Sequence, residues 1–283
     1  MPAGHRGDHG GELRRQARAA SLLSPEDPGV SDPVVLTLAT APTHLLVADC
    51  IAADRFALLG AGDIGQLPVT HGGRRALLGD FFTVTGERSA TVRITGDVTK
   101  VEGIGAGMAD GELVVDGSVG SDLGRGMAGG RIDVHGSAGD NPGGALPGAA
   151  RGMTGGEIII RGDAGAQAGA AARRGLIVVT GNAGPQAGRG MIAGTVVVFG
   201  RAAAGAGRFL KRGSIVALGA IDRPATFRYA CTYRPPHLPL LLRYLRARYA
   251  LAIGEPQITG RYARYSGDLA ELGKGEILHW VAE

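Results

Sequence analysis

GSVGSDLGRGMAGGRIDVHGSAGD, residues 117–140, and GNAGPQAGRGMIAGTVVVFG, residues 181–200, are copies of one unit. Each opens on a glycine, runs through a glycine-rich middle and ends on a short apolar strand closed by the next glycine. Following that closing glycine along the chain gives Gly96, Gly117, Gly136, Gly162, Gly181, Gly200 and Gly219, at spacings of 21, 19, 26, 19, 19 and 19 residues. The period is 19, with two extra residues in the first unit and seven in the third. Counted from the opening glycine, with those insertions set aside, the thirteenth residue is again always glycine: Gly111, Gly130, Gly156, Gly175, Gly194 and Gly213. The seventh reads Gly105, Gly124, Ala150, Gly169, Gly188 and Gly207, and the tenth reads Met108, Met127, Met153, Ala172, Met191 and Leu210. The fifteenth and seventeenth are aliphatic in every unit, from Leu113 and Val115 to Ile215 and Ala217. That alternation marks a strand with one buried face.

A unit of this length cannot bury its own apolar face, but stacked copies can, so the repeat predicts a solenoid in which equal positions form ladders. The expected fold class is all-β: a right-handed parallel β-helix, a single-stranded solenoid with ~19-residue coils, carrying a small α/β N-terminal cap and a C-terminal helix. A left-handed β-helix needs an aliphatic residue at every sixth position, whereas here the aliphatic pair occurs once per 19-residue unit. In the expected architecture the glycines supply tight corners with positive φ, and methionine fills irregular space near one corner.

Composition agrees. The chain has 50 glycines in 283 residues but only 5% aromatics, so its core must come from small repeated layers rather than one bulky cluster. A formal net charge of +4 is too mild to require nucleic acid. Cys50 and Cys231 form no C-x-x-C arrangement, which excludes a thiolate zinc site and a disulfide framework. The N-terminal MPAGHRGDHGGELRR lacks the apolar core of a signal peptide, and no stretch approaches ~20 apolar residues, so a cytoplasmic location is expected, with no membrane or nucleic-acid partner.

Four regions follow: a flexible extension over 1–32, a cap with the first irregular coils over 33–95, the repeats over 96–219, and a C-terminal cap over 220–283. A strand is expected from Val34 to Leu38 and helical spacing from Asp49 to Leu59. The stretch HLPLLLRYLRARYAL, residues 237–251, reads as an amphipathic helix expected to cover the open end of the stack.

Together the 96–219 block, the LGDFFTVTG at 78–86 and the SGDLAELGKGEIL at 266–278 resemble the C subunit of formylmethanofuran dehydrogenase, and likewise the C (gamma) subunit of the bacterial formyltransferase/hydrolase complex. The repeat block is also similar to the C-terminal domain of glutamate synthase. The resemblance implies a scaffold without catalytic residues of its own, packed against a formyltransferase subunit in a complex that includes a metal-dependent amidohydrolase-like subunit and one further subunit. It implies no cofactor bound by this chain alone, with a polyglutamylated methanofuran-type carrier at the level of the complex. Archaeal relatives run a tungsten or molybdenum redox version of the chemistry.

Candidate chemical sites are few. The seven histidines form no metal-ligand pair, so no metal site is expected, and His135 beside Gly136 is expected to be exposed or hydrogen-bonded. GRGMAGG lacks the G-K-[ST] ending of a phosphate loop. Asp97, Asp116 and Asp163 sit beside corner glycines and are expected to bond turn backbone. The remaining pattern is cationic. The eighth position holds Ala106, Arg125, Arg151, Ala170, Arg189 and Arg208, with Arg173, Arg174, Lys211 and Arg212 nearby. Stacking would align these cations along one edge, where they repel unless anions or carbonyls lie between them. The resemblance supplies one anion, the glutamate-rich tail of the carrier; backbone carbonyls and carboxylates of a partner subunit are the others. A stand-alone enzyme with a polysaccharide groove would need aromatic platforms, and the repeats offer only Phe199 and Phe209.

Overall fold

The computed structural model describes residues 32–282, so the expected N-terminal extension lies outside the described residues apart from Asp32. The elements are β1 (Val34–Leu38), β2 (Leu46–Val47), α1 (Ala53–Phe56), α2 (Ala61–Gly65), β3 (Pro68–His71), β4 (Arg74–Leu77), β5 (Phe82–Thr85), β6 (Thr91–Thr95) and β7 (Val101–Glu102). The repeat strands follow: β8 (Glu112–Val115), β9 (Arg131–Val134), β10 (Glu157–Ile160), β11 (Leu176–Val179), β12 (Thr195–Val198) and β13 (Arg212–Ala217). The chain closes with β14 (Arg228–Tyr233), α3 (Leu238–Tyr249), α4 (Glu255–Thr259), β15 (Arg261–Gly267) and β16 (Lys274–Val281).

The fold is all-β in the main. One 12-stranded sheet has the order β14-β15-β16-β13-β12-β11-β10-β9-β8-β6-β1-β5, and a 4-stranded sheet has the order β4-β3-β2-β7. From β1 through β13 to β16 every neighbouring pair in the large sheet is parallel; β5 at one edge and β15 with β14 at the other run antiparallel. The register is the repeat itself: Leu113, Ile132, Ile158, Ile177, Val196 and Ile215 stand side by side. A second ladder of parallel bridges joins Val98, Val119, Ala138, Ala164, Ala183, Ala202 and Ile221. A third line of backbone bonds runs from Gly124 N to Ile104 O, Gly143 N to Leu123 O, Gly169 N to Pro142 O and Gly188 N to Ala168 O. Each unit is thus hydrogen-bonded to its neighbours at three places.

Two corrections follow from these ladders. The third line passes through Gly143, with φ +71°, not through Ala150. The seven extra residues therefore fall after Gly144, as a loop over 145–151 whose Leu146 lies against Gly126. The glycine columns also differ in what they require. Gly130 has φ +74°, but Gly136 has no positive φ; a Cβ there would sit 2.6 Å from the carbonyl carbon of Gly117. The first needs a left-handed backbone and the second needs room for the next layer's main chain.

The interior consists of the aliphatic ladders and the methionines, Met108, Met127, Met153 and Met191, all fully buried. Each buried Ile, Val or Met side chain contributes roughly 1.5–3 kcal/mol over its exposed state. Phe227 sits at the last repeat, its ring 2.9 Å from where a Cβ on Gly207 would stand, and packs with Ile277 in the same cluster. The amphipathic helix does not cover that end. Leu238, Leu242, Leu245 and Tyr249 of α3 pack on the outer face of the sheet against Ile159, Val178, Val197 and Val216. Those four occupy the sixteenth position, which points away from the interior, so the apolar face that α3 serves is on the side of the stack. The stretch expected to be helical from Asp49 to Leu59 holds only the single turn of α1. No helix among the described residues is long and apolar enough to cross a membrane.

Candidate functional site

The stack brings the expected cations to one corner but divides them. In the eighth position the structure stacks Ala106, Arg125, Gly144, Ala170, Arg189 and Arg208, because Arg151 belongs to the inserted loop. Arg125 is nearly buried. Its guanidinium donates to Asp49 in the cap and, at 2.9 Å, to Asp122. Burial alone would lower its pKa, but Asp49 and Asp122 outweigh that and hold it above its ordinary value. Arg125 thus ties the N-terminal cap to the repeats, and its charge is already matched.

Arg189 and Arg208 differ. Both are exposed, on consecutive units, and neither has an ion pair among the described residues. Their guanidinium carbons lie 5.8 and 5.0 Å from the ring centroid of Phe209, within cation–π range. Arg151, Arg173, Arg174, Lys211 and Arg212 are exposed as well. The last four stand at the eleventh and twelfth positions, further along the corner than the arginine pair.

The part that Phe209 plays here is not evident from its sequence alone. It occupies the ninth position, where Gly107, Gly126, Ala171 and Gly190 have φ between +55° and +66°, and it adopts +63° itself. A bulky side chain in that region is strained. Its backbone N–H donates at 2.9 Å to Asp268, a carboxylate only 1% exposed that also accepts from Ala270 N. Burial pushes the Asp268 carboxyl up, but the neighbouring Thr226 hydroxyl, the backbone N–H donors of Ala270 and Phe209 and the charge of Arg208 prevail and hold it below its usual range. A cavity of about 330 Å³ opens here, lined by Gly205, Arg208, Phe209, Thr226 and Asp268 among others. The available signal was a phenylalanine standing in a glycine column.

The outer sheet face outside the cover of α3 is polar and internally paired. Asp116 does not bond turn backbone as expected. It pairs with Arg93 at 2.5 Å and with His135 at 3.2 Å. Asp97 and Asp163 do bond backbone amides, those of Thr99 and Asn182. Asp133 accepts two bonds from Arg161, at 2.9 and 2.8 Å. Glu157 accepts from the hydroxyls of Tyr244 and Tyr249, which pin α3 to the sheet. Beside them runs a groove of about 710 Å³, floored by Gly111, Gly130, Gly156 and Gly175 and walled by Glu112, Arg131 and Glu157. Among the described residues no group of three or more His, Cys, Asp or Glu side chains is placed to hold a metal ion.

The cysteines are separate and unlike. Cys50 is buried, and burial pushes its thiol up to about 11, while Cys231 is exposed on β14. Since the thiolate is the reactive form, titration of the native protein with a thiol reagent at pH 8 is expected to modify one thiol rapidly and the second only on unfolding. Rapid reaction of both would contradict the packing around Cys50.

No family model matches the chain. Among curated proteins it is 39% identical over 80 residues to the C subunit of the molybdenum-containing formylmethanofuran dehydrogenase 1 of Methanothermobacter marburgensis, covering 28% of this chain and 20% of that one. It is 35% identical over 100 residues to the subunit of the same name from Methanosarcina barkeri, covering 34% and 33%. The C subunit of the tungsten-containing formylmethanofuran dehydrogenase 2 of Methanothermobacter thermautotrophicus matches at 35% over 91 residues. The matched segments span about a fifth to a third of these relatives. A chain of the formyltransferase/hydrolase complex (FhcABCD) from Methylorubrum extorquens, solved in complex with methylofuran, superimposes with a TM-score of 0.74 at 31% identity, over 88% of this chain and 100% of that chain. The shared repeat stack, carried through to the end of a solved chain, means that this protein belongs to the family formed by the C subunit of formylmethanofuran dehydrogenase and its counterpart in the formyltransferase/hydrolase complex.

Proposed function

We propose that this chain is the non-catalytic scaffold subunit of a cytoplasmic formyltransferase/hydrolase complex that transfers a formyl group to its carrier and hydrolyses it to formate, within the one-carbon metabolism that takes formaldehyde to formate. The observation that carries this reading is the match along the whole length of a chain of the Methylorubrum extorquens complex. In this reading residues 96–219 form a right-handed parallel β-helix, flanked by caps over 33–95 and 220–283 and an extension over 1–32. The parallel register at a 19-residue step supports the coil, and its hand follows the near-universal right-handedness of crossovers between parallel strands. The stack docks the formyltransferase subunit, and the assembly is completed by a metal-dependent amidohydrolase-like subunit and one further subunit. A methanofuran-type carrier acts in the complex as a whole, consistent with the methylofuran bound in the Methylorubrum structure. The exposed cations Arg151, Arg173, Arg174, Arg189, Arg208, Lys211 and Arg212 provide contacts for carrier or partner carboxylates, and Arg125 serves the fold.

The names of the curated relatives favour a second host, a molybdenum or tungsten formylmethanofuran dehydrogenase. Affinity purification of the tagged protein from its own cells, with mass spectrometry of what co-elutes, tests both. Formyltransferase and amidohydrolase-like chains are expected. Co-elution of a molybdenum or tungsten redox subunit would transfer the scaffold to the second host, and a lone protein would overturn the subunit reading.

A further inference from the structure

We infer that the open edge of β14 is a docking site for an extended segment of a partner subunit, which lengthens the large sheet by one strand; the assignment rests on the subunit reading above and says where one partner binds. β14 (Arg228–Tyr233) ends the 12-stranded sheet and pairs only with β15. In an antiparallel pair about half the residues turn their N–H and C=O away from the partner strand, and at an edge those groups have no ladder to join. Among the described residues, no backbone group of Arg228–Tyr233 bonds anything outside that pair except Thr232 O, which accepts from Arg261 at 3.3 Å. Arg228, Tyr229, Ala230 and Cys231 are all exposed, Tyr229 by 61%. The edge at the other end of the sheet differs: β5 is shorter, and α2 packs against it.

The chemistry of this edge selects its occupant. Main-chain donors and acceptors at strand spacing are met best by another strand, and the side chains beside them then decide which one. A second copy of β14 is the wrong strand. Paired antiparallel about Cys231, each copy would set Arg228 opposite Arg234 of the other, and like charges directly opposite repel. Both arginines are exposed, and neither has an ion pair among the described residues. The edge is thus guarded against its own copies yet left open between the two charges, over Tyr229, Ala230 and Cys231. The bulge in the β14–β15 pairing falls there, between Tyr229 and Cys231. A bulge re-aims the neighbouring side chains, so only a strand with matching side chains can follow this edge. Immediately after β14, Arg234 joins Glu255, Pro256, Thr259 and Trp280 in lining a cavity of about 550 Å³. A chain that runs along β14 reaches this cavity, which has room for a large side chain beside the Trp280 ring. The partner segment is therefore extended, uncharged where it passes Cys231, and acidic rather than basic at its ends.

The test compares the full-length chain alone with the intact complex purified through a tag on that chain. Amides of residues 228–233 should exchange about tenfold more slowly in the complex, and Cys231 should lose most of its reactivity toward a thiol reagent there. Cys231→Lys puts a charge in the middle of the edge, at an exposed side chain. It should leave the melting temperature of the chain alone within about 2 °C, while one subunit disappears from the purified complex. Ala230→Pro removes an N–H at the bulge, where an edge strand tolerates proline, and should have the same outcome. Leu240→Lys, on the exposed side of α3, is the control and should keep every subunit. Equally fast amides in chain and complex would overturn the assignment even with Cys231 covered, because side-chain contact without strand pairing is a different interface. Recovery of every subunit with both edge variants would overturn it too. So would a dimer of the chain alone with the same amides protected, which would make a second copy the occupant. A chain that purifies without any partner would sink the subunit reading itself; formyltransferase and amidohydrolase-like chains recovered with unprotected β14 amides would sink the edge assignment alone.

Discussion

Gly130→Val is expected to lower the melting temperature by roughly 10 °C. Gly130 stands in the thirteenth column at φ +74°, a region that costs a β-branched residue about 1–3 kcal/mol. Space is the larger difficulty. A Cβ at this position would lie 2.8 Å from Gly111 O, 2.9 Å from the Asp110 carbonyl carbon and 3.0 Å from Met108 Cε. The first two are main-chain atoms of the layer below, so they yield only if the ladder itself shifts. Strain and overpacking together come to about 3–5 kcal/mol, and a protein of this size loses about 2–4 °C per kcal/mol. Gly190→Ala is the control. Its φ is +63°, but an added Cβ meets nothing within 4 Å, so a drop of only a few degrees is expected. Equal shifts in the two variants, measured by calorimetry, would show that backbone conformation alone explains the column.

Leu242→Ala is expected to destabilise the C-terminal part by about 2–5 kcal/mol, the usual cost of emptying a buried leucine site. Leu242 is fully buried between α3 and the outer ladder of Ile159, Val178, Val197 and Val216. Those strands bury both faces in separate clusters, so the loss should be local. Hydrogen exchange is the suitable measurement. Amides of α3 should exchange faster while β6, β8 and β9, which contribute nothing to that outer cluster, stay protected. Uniform loss of protection along the whole sheet would mean that α3 is integral to the stack rather than laid upon it.

Much of this architecture was legible in the sequence because stacking turns sequence period into spatial column. Ile132, Ile158 and Ile177 align in the structure as the 19-residue count places them, and Met108, Met127, Met153 and Met191 share one interior cluster. Where the period is interrupted, the count loses its meaning. A seven-residue insertion can be placed anywhere in its unit, and only the backbone bonds through Gly143 locate it after Gly144. The destination of the 237–251 segment was hidden for another reason. Amphipathicity says that a face is covered, not by what, and the all-aliphatic run Ile158–Ile160 reads as one buried face or two. The site was legible in part. Arginines in a column were visible, but Asp49, 76 residues from Arg125, and Asp268, 59 residues from Phe209, belong to flanks that the repeat does not index.

The loop at 145–151 bears on how such a chain changes over time. Gly143 and Met153 on either side of it are joined by a hydrogen bond from Met153 N to Gly143 O, and their layer remains paired above and below. Length added at that corner leaves the ladder intact, whereas an extra residue within a strand would turn every later side chain to the opposite face. Natural variants of this protein should therefore gain and lose residues there, and a reporter peptide inserted between Pro147 and Gly148 should leave the melting temperature almost unmoved.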